Sequence, residues 1–425
     1  MNIRKIENNI IGETYYAVEH PSGLKILVLP KKDYKTNYAL FGTKFGSADS
    51  RFVTADGKTV TLPDGTAHFL EHKLFESEEK DAFEKFALTG ARANAYTSFD
   101  RTCYLFSCSQ NFHENLTSLI DFVSEPYFTA QTIQKEQGII GQEIKMYRDN
   151  PGWQAMMELF GALYHHCAVN TDIAGSVESI ATITEQQLYA VYEGFYVPSN
   201  MVLCVCGDVE VQNIIDICDA HIRYADRQSA TPAPLAEPPE IKETRVCREM
   251  PVSIPVYAFG YKEDCSGLKS LKERVETIIL NQILIGTMSP LYEQLLQEGL
   301  IGEDFSSEYF CGRDYAAILF TGTGEHGEAI KQRFEAEVAR VRRDGIDREL
   351  FDCVIKELYG TMIKGFNSVE DIASELMESE MGGYGLFDEW ELYQTLTAED
   401  IEACLDSKYD THRAAIALIV PPQKG

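Results

Sequence analysis

The chain has 425 residues, more than one ordinary hydrophobic core organises, so two or more domains are expected. Apolar residues make up 44%, as in folded globular proteins, and the formal charge is −28. A field of that sign repels nucleic acid and anionic membrane, so neither is expected as a partner, and it favours basic or neutral ligands.

The stretch from Met1 to His20 is polar and charged, without the apolar core of a signal peptide. No run of about eighteen apolar residues offers a membrane span. The 11 cysteines include no CxxC pair. Cys204 and Cys206 alternate in an apolar run, which makes them core residues of a strand, and reduced thiols point to a cytoplasmic protein.

Tyr15–Glu19 and Leu24–Leu29, joined by Pro21-Ser22-Gly23, read as a β-hairpin. Residues 37–47 read as a further strand and 49–64 as a polar loop. The loop leads into Gly65-Thr66-Ala67-His68-Phe69-Leu70-Glu71-His72. On a helix, His68 and His72 stack one turn apart on one face, within reach of a single metal ion. Glu71 lies one turn after His68 and leans over the same ion without ligating it. The pattern HxxEH inverts the HExxH helix of zinc proteases. A catalytic zinc takes three protein ligands and keeps one position open, so a third ligand is expected downstream.

Residues 81–88, from Asp81 to Leu88, read as a helix. Arg92–Ser98 and Thr102–Cys108 read as paired strands around Phe99-Asp100-Arg101. Leu116–Ser124 and Gln131–Tyr147 read as helices. In the second of these, Glu136 and Glu143 are two turns apart and share a face, which suits one metal ligand and one supporting carboxylate. Pro151 opens another helix toward His165. Met201–Cys206 is an apolar strand. Residues 226–242 carry four of the 15 prolines and read as a linker between domains 1–225 and 243–425.

The two sides of this linker resemble each other. ITEQQLYAVYEGFYVPSNMVLCVCG (183–207) aligns without a gap on LTAEDIEACLDSKYDTHRAAIALIV (396–420). Each begins a helix with a threonine, places a tyrosine fourteenth, and closes on an apolar strand. A second match sets Gly65-Thr66 on Gly286-Thr287, where His68, Glu71 and His72 meet Ser289, Tyr292 and Glu293. The expected fold is therefore α+β, with two tandem duplicated α/β-sandwich domains, the second without metal ligands.

HFLEHKLFE (68–76) followed by EQGIIGQE (136–143) resembles the pitrilysin/insulinase metallopeptidases, and most of all their short two-domain bacterial members. The likeness extends through ARANAYTSFDRTCYLF (91–106), DNP (149–151), IAGSVESI (173–180) and YVPSNM (196–201). It implies a clamshell of two domains, each a mixed sheet with helices packed on one face. It also implies one Zn2+ per chain on His68, His72 and Glu143. Glu71 becomes the general base that activates water, and Glu136 the supporting glutamate of the catalytic set. Asn94 and Ala95 fall on the edge strand that pairs with substrate backbone. The implied activity is endopeptidase cleavage of unfolded peptides. Family members also carry an arginine and, seven residues on, a tyrosine that grip substrate. The stretch 312–321 offers only Arg313 with Phe320 at that spacing. This implies a homodimer, or a heterodimer with a metal-free paralogue that supplies the grip. The reading from another class is a non-catalytic or accessory subunit of a peptide-processing or modification complex, which the complete HxxEH set disfavours.

Overall fold

The computed structural model describes residues 1–77, 82–222 and 227–422. Asp81, the expected start of the second helix, and Asp226, the first residue of the proline-rich stretch, lie outside the described residues. In chain order the helices are α1 (Thr66–Leu74), α2 (Ala82–Thr89), α3 (Phe112–Ser124), α4 (Ala130–Arg148), α5 (Pro151–Leu163), α6 (Val177–Ile180), α7 (Glu185–Phe195) and α8 (Val211–His221). The second half adds α9 (Leu271–Ile285), α10 (Pro290–Gln297), α11 (Gly327–Asp344), α12 (Arg348–Gly365), α13 (Val369–Gly382), α14 (Asp388–Thr395) and α15 (Ala398–Leu405). None of the described helices is long and apolar enough to cross a membrane.

The chain folds into two compact units, and these are not the two linear halves. The first unit takes Met1–Ile144, Asp172–Pro234 and Met362–Phe387; the second takes Lys145–Thr171, Leu235–Thr361 and Asp388–Gly425. Each half of the sequence thus lends a helical segment to the unit built mainly by the other. One crossing point, between Pro234 and Leu235, falls inside the proline-rich stretch. Beyond it the chain is pinned. Lys262 Nζ donates to the Glu237 carboxylate at 2.5 Å and to the carbonyls of Pro238 and Glu240. Glu237 in turn accepts the backbone N–H groups of His165, His166 and Cys167.

The sheet of the first unit contains β1 (Asn2–Asn8), β2 (Glu13–Glu19), β3 (Lys25–Pro30), β4 (Asn37–Thr43), β7 (Arg92–Thr97), β8 (Thr102–Cys108) and β9 (Met201–Gly207). The expected polar loop 49–64 holds two short strands, β5 (Arg51–Val53) and β6 (Thr59–Thr61), which pair with β10 (Thr231–Pro232) in a small separate sheet. The strand order of the large sheet is β1-β2-β3-β9-β4-β8-β7, with β3 and β9 parallel and the other neighbours antiparallel. Strands β4 (NYALFGT) and β9 (MVLCVCG) are buried along their whole length, as strands covered on both faces must be. Phe41, Phe106, Leu203 and Val205 meet the helices of the first half. Leu40, Cys204 and Cys206 face the other way, against Ile372, Ala373, Leu376 and Met377 of α13. The two cysteines are core residues on one face, as their alternation implies. A helix over that second face was not legible from the first half alone, because it arrives from a distant stretch of chain.

The second unit repeats the plan. β11 (Arg245–Glu249), β12 (Val256–Lys262), β13 (Ser306–Cys311), β14 (Ala316–Thr323) and β15 (Ala414–Val420) run in the order β11-β15-β12-β14-β13. The first pair is parallel and the rest antiparallel, as in β3-β9-β4-β8-β7. The aligned segments 183–207 and 396–420 become α7–β9 and α15–β15. Both helices open on a capping box, Thr184 with Gln187 and Thr397 with Asp400. The second sequence match does not hold: Gly65 precedes and caps α1, whereas Gly286 closes α9.

If α13 completes the first unit, truncating its buried Leu376 to Ala should cost about 2–5 kcal/mol. Hydrogen exchange should then show lost amide protection in β4 and β9, and unchanged protection there would contradict the assignment.

Candidate metal centre

Helix α1 is capped by Gly65, whose φ of 87° is left-handed and therefore suits glycine. A side chain there would also meet the Ala174 carbonyl oxygen at 2.4 Å. A side chain at Gly175, whose φ is 72°, would likewise meet the Asp64 carbonyl oxygen at 2.4 Å. These two glycines let the 173–176 loop close over the start of the helix, and Ser179 Oγ adds a hydrogen bond to Asp64 O at 2.8 Å. Phe69, Leu70 and Leu74 enter the core and fix the rotation of α1. His68 and His72 are thereby left half-buried, with ring centroids 4.6 Å apart.

Helix α4 is anchored in the same core by Ile133, Ile140 and Ile144. It carries Glu136, buried, and Glu143, half-buried. His68 Nε2 lies 3.6 Å from Glu143 Oε1, and His72 Nε2 lies 3.5 Å from Glu143 Oε2. These separations are too long for hydrogen bonds. They are close to the edge of a tetrahedron built on bonds of about 2.1 Å, which is roughly 3.4 Å. One ligand atom from each of His68, His72 and Glu143 lies within 4.8 Å of the others. Zinc takes both imidazole nitrogen and carboxylate oxygen, and two imidazoles with one carboxylate are a donor set of a catalytic zinc, so the residues present fit such an ion.

Glu136 stands behind His72, with Oε1 3.0 Å from Nδ1. A carboxylate accepts, so Nδ1 carries the proton and the Nε2 lone pair is turned toward Glu143. His68 lacks such a partner: its Nδ1 is buried without a hydrogen bond among the described residues. Burial pushes His72 toward the neutral form, but the hydrogen bond to Glu136 and the charges of Glu71, Glu136 and Glu143 outweigh it and raise its pKa.

Glu71 is 7% exposed. Thr97 Oγ1 donates to its Oε2 at 2.6 Å. Burial raises the Glu71 pKa, against the opposing effects of His68, the Thr97 hydrogen bond and His72. Thr97 belongs to β7, the edge strand of the large sheet, whose residues alternate between exposed and half-buried. Asn94 is exposed and Ala95 half-buried, so the strand presents a backbone edge beside α1. The structure therefore gathers His68, His72, Glu71, Glu136 and Glu143, with Asn94 and Ala95 on the adjoining edge. Thr97 is the residue that sequence reasoning missed. Its signal was the alternation Ala93, Ala95, Thr97, which puts its side chain on the α1 face. In the second unit Arg313 pairs with Asp314 at 2.7 Å, and Tyr315 is buried against Phe310.

The family model described as Insulinase (Peptidase family M16) matches residues 62–176, and the one described as Peptidase M16 inactive domain matches 182–358. The chain is 37% identical to the uncharacterized zinc protease YmfH of Bacillus subtilis, over 99% of both chains. Among solved structures it is similar to a putative M16-like peptidase from Alicyclobacillus acidocaldarius, with 32% identity, a TM-score of 0.93 and coverage of 98% and 99% of the two chains. A protease from Helicobacter pylori shares the fold at a TM-score of 0.82 and 19% identity, over 96% and 99%.

In the metal-depleted chain, His72 should remain protonated above the ordinary value of 6.5. Its raised pKa contributes stability that is fully present below that value and is lost as pH rises through the folded-state pKa. Replacing Glu136 by Gln should lower the midpoint. Histidine NMR titration checks this, and a wild-type His72 midpoint at or below 6.5 contradicts it.

Proposed function

This chain belongs to the insulinase family, peptidase family M16, and on that premise we propose that it is a zinc-dependent endopeptidase acting on unfolded peptides. The observation that carries the proposal is the convergence of His68, His72 and Glu143 beside the buried carboxylate of Glu71. When bound by such a set, zinc lowers the pKa of water toward about 7 and polarises a carbonyl. Glu71 accepts a proton from the attacking water as the new C–O bond forms. It then returns that proton to the amine nitrogen as the C–N bond breaks. Glu136 holds the His72 ring in the orientation and tautomer that ligation needs. The peptide lies extended along β7 at Asn94 and Ala95, through main-chain hydrogen bonds. An edge strand pairs only with a segment whose own N–H and C=O groups are free. Unfolded peptides offer such segments along their whole length, whereas most of the backbone of a folded protein is already paired.

The working form is a dimer, either of two copies or with a related chain lacking HxxEH. In support, Tyr315 is packed against Phe310 and Arg313 is held by Asp314. A cytoplasmic location agrees with eleven free cysteines.

Metal analysis should find about one zinc per chain, reduced in the His68→Ala, His72→Ala double variant; undiminished zinc there would sink the ligand set. Glu71→Gln should keep the metal and lose activity by about 10² to 10⁴ on an unfolded peptide, whereas near-normal turnover would mean that the proton goes elsewhere. Specific activity should fall on dilution as the molar mass drops from dimer to monomer. Full activity from a monomer would refute the dimeric form.

A further inference from the structure

Glu71 sits on α1, but the group that fixes its carboxylate belongs to a different element. Thr97 is the last residue of β7 and follows Ala93 and Ala95 on the strand face that packs against the core. Its hydroxyl lies 2.6 Å from Glu71 Oε2. A second hydroxyl is nearby, Thr102 Oγ1, 3.5 Å away across the β7–β8 pair. Thr102 donates to the buried Phe45 carbonyl at 2.9 Å. With that proton committed, Thr97 is left to donate to the carboxylate. Glu71 Oε1 makes no hydrogen bond among the described residues. One oxygen of the carboxylate is therefore tethered and the other is free.

We infer that Thr97 is a positioning residue for Glu71: its hydroxyl holds Oε2 and so aims Oε1 toward the space beside His68, His72 and Glu143. The inference rests on the peptidase reading above, with Glu71 as the base. A carboxylate on a side chain with three rotatable bonds has several rotamers. A single strong hydrogen bond selects one of them without altering the metal ligands. Because β7 also carries Asn94 and Ala95, the same strand aligns the base and the edge offered to a peptide.

The test compares Thr97→Val, which keeps the shape and removes the hydroxyl, with Thr97→Ser, which keeps the hydroxyl. Thr97→Ala serves as a second hydroxyl-free variant should valine disturb the strand. The substrate is an unfolded fluorogenic peptide and the protein is the full zinc-loaded chain. Loss of the hydroxyl should lower kcat by up to about 100-fold, with KM and zinc content unchanged, and serine should restore most of it. A crystal structure of Thr97→Val should show the Glu71 carboxylate turned from its present position. Added to Glu71→Gln, Thr97→Val should cost nothing further. Wild-type kcat in the hydroxyl-free variants overturns the inference. So does a loss confined to KM or zinc content, an unmoved Glu71, or an additive loss in the double variant. Failure of both hydroxyl-free variants to fold beside a normal serine variant also overturns it, because the hydroxyl would then be structural. An active Glu71→Gln removes the base reading and this inference together. An inactive Glu71→Gln beside a fully active Thr97→Val removes this inference alone.

Discussion

Two imidazole nitrogens and a carboxylate, each turning a lone pair into the same small space, are the constraint on which the first unit depends. His68, His72 and Glu143 offer ligand atoms all within 4.8 Å of one another. Lone pairs facing each other in a partly buried site repel unless a cation or a proton stands between them. His72 meets part of that demand: the Glu136 hydrogen bond and the charges of Glu71, Glu136 and Glu143 raise its pKa against the effect of burial. The fold tolerates it because α1 and α4 are both locked into one apolar core, by Phe69, Leu70, Ile140 and Ile144. Core packing determines where the helices sit, and the ligands are held wherever the packing puts them.

The surroundings of the centre divide the work between helix and strand. Helix α1 supplies two ligands and Glu71, helix α4 the third ligand and the support for His72, and β7 the threonine hydroxyl on Glu71. The turn of the β7–β8 hairpin, next to Thr97, is held as well. Arg101, in its turn, pairs with Asp100 at 3.1 Å and with Glu378 of α13 at 2.5 Å. A segment from the second half of the sequence thus underlies the sheet and ties down the hairpin that carries Thr97. The first unit cannot be cut from the chain at the proline-rich stretch without losing that helix. The reciprocal loan of α5 to the second unit, where it packs on β12 and β15, has the same consequence there.

The internal repeat shows which features a duplicated fold must keep. Strand order, the parallel first pair and the capped helix before the last strand recur in both units. Side chains are free to diverge where they do not serve the core. Lys262 and Glu237 form a buried ion pair in the second unit that organises backbone rather than chemistry. Lys262 also holds the carbonyls of Pro238 and Glu240, and Glu237 the N–H groups of His165, His166 and Cys167, so the pair fixes the course of the chain within the second unit just after the crossing point.

Read alone, the sequence determined the local chemistry of this protein. The i, i+4 histidines with Glu71 between them, the two-turn spacing of Glu136 and Glu143, and the alternation of β7 are periodicities, and periodicity is local. The repeat of 183–207 in 396–420 was legible for the same reason, since a capped helix and an apolar strand are written in adjacent residues. The match at Gly65 and Gly286 misled because two residues cannot say whether a glycine opens a helix or ends one. Only the tertiary structure decided that Glu143 faces both histidines while Glu136 stands behind one of them, since identical side chains on one helix face differ only in what they meet. It also decided that Thr97 reaches Glu71, and that the two units exchange helices. Those facts depend on contacts between residues far apart in the chain, which packing creates and local spacing does not encode.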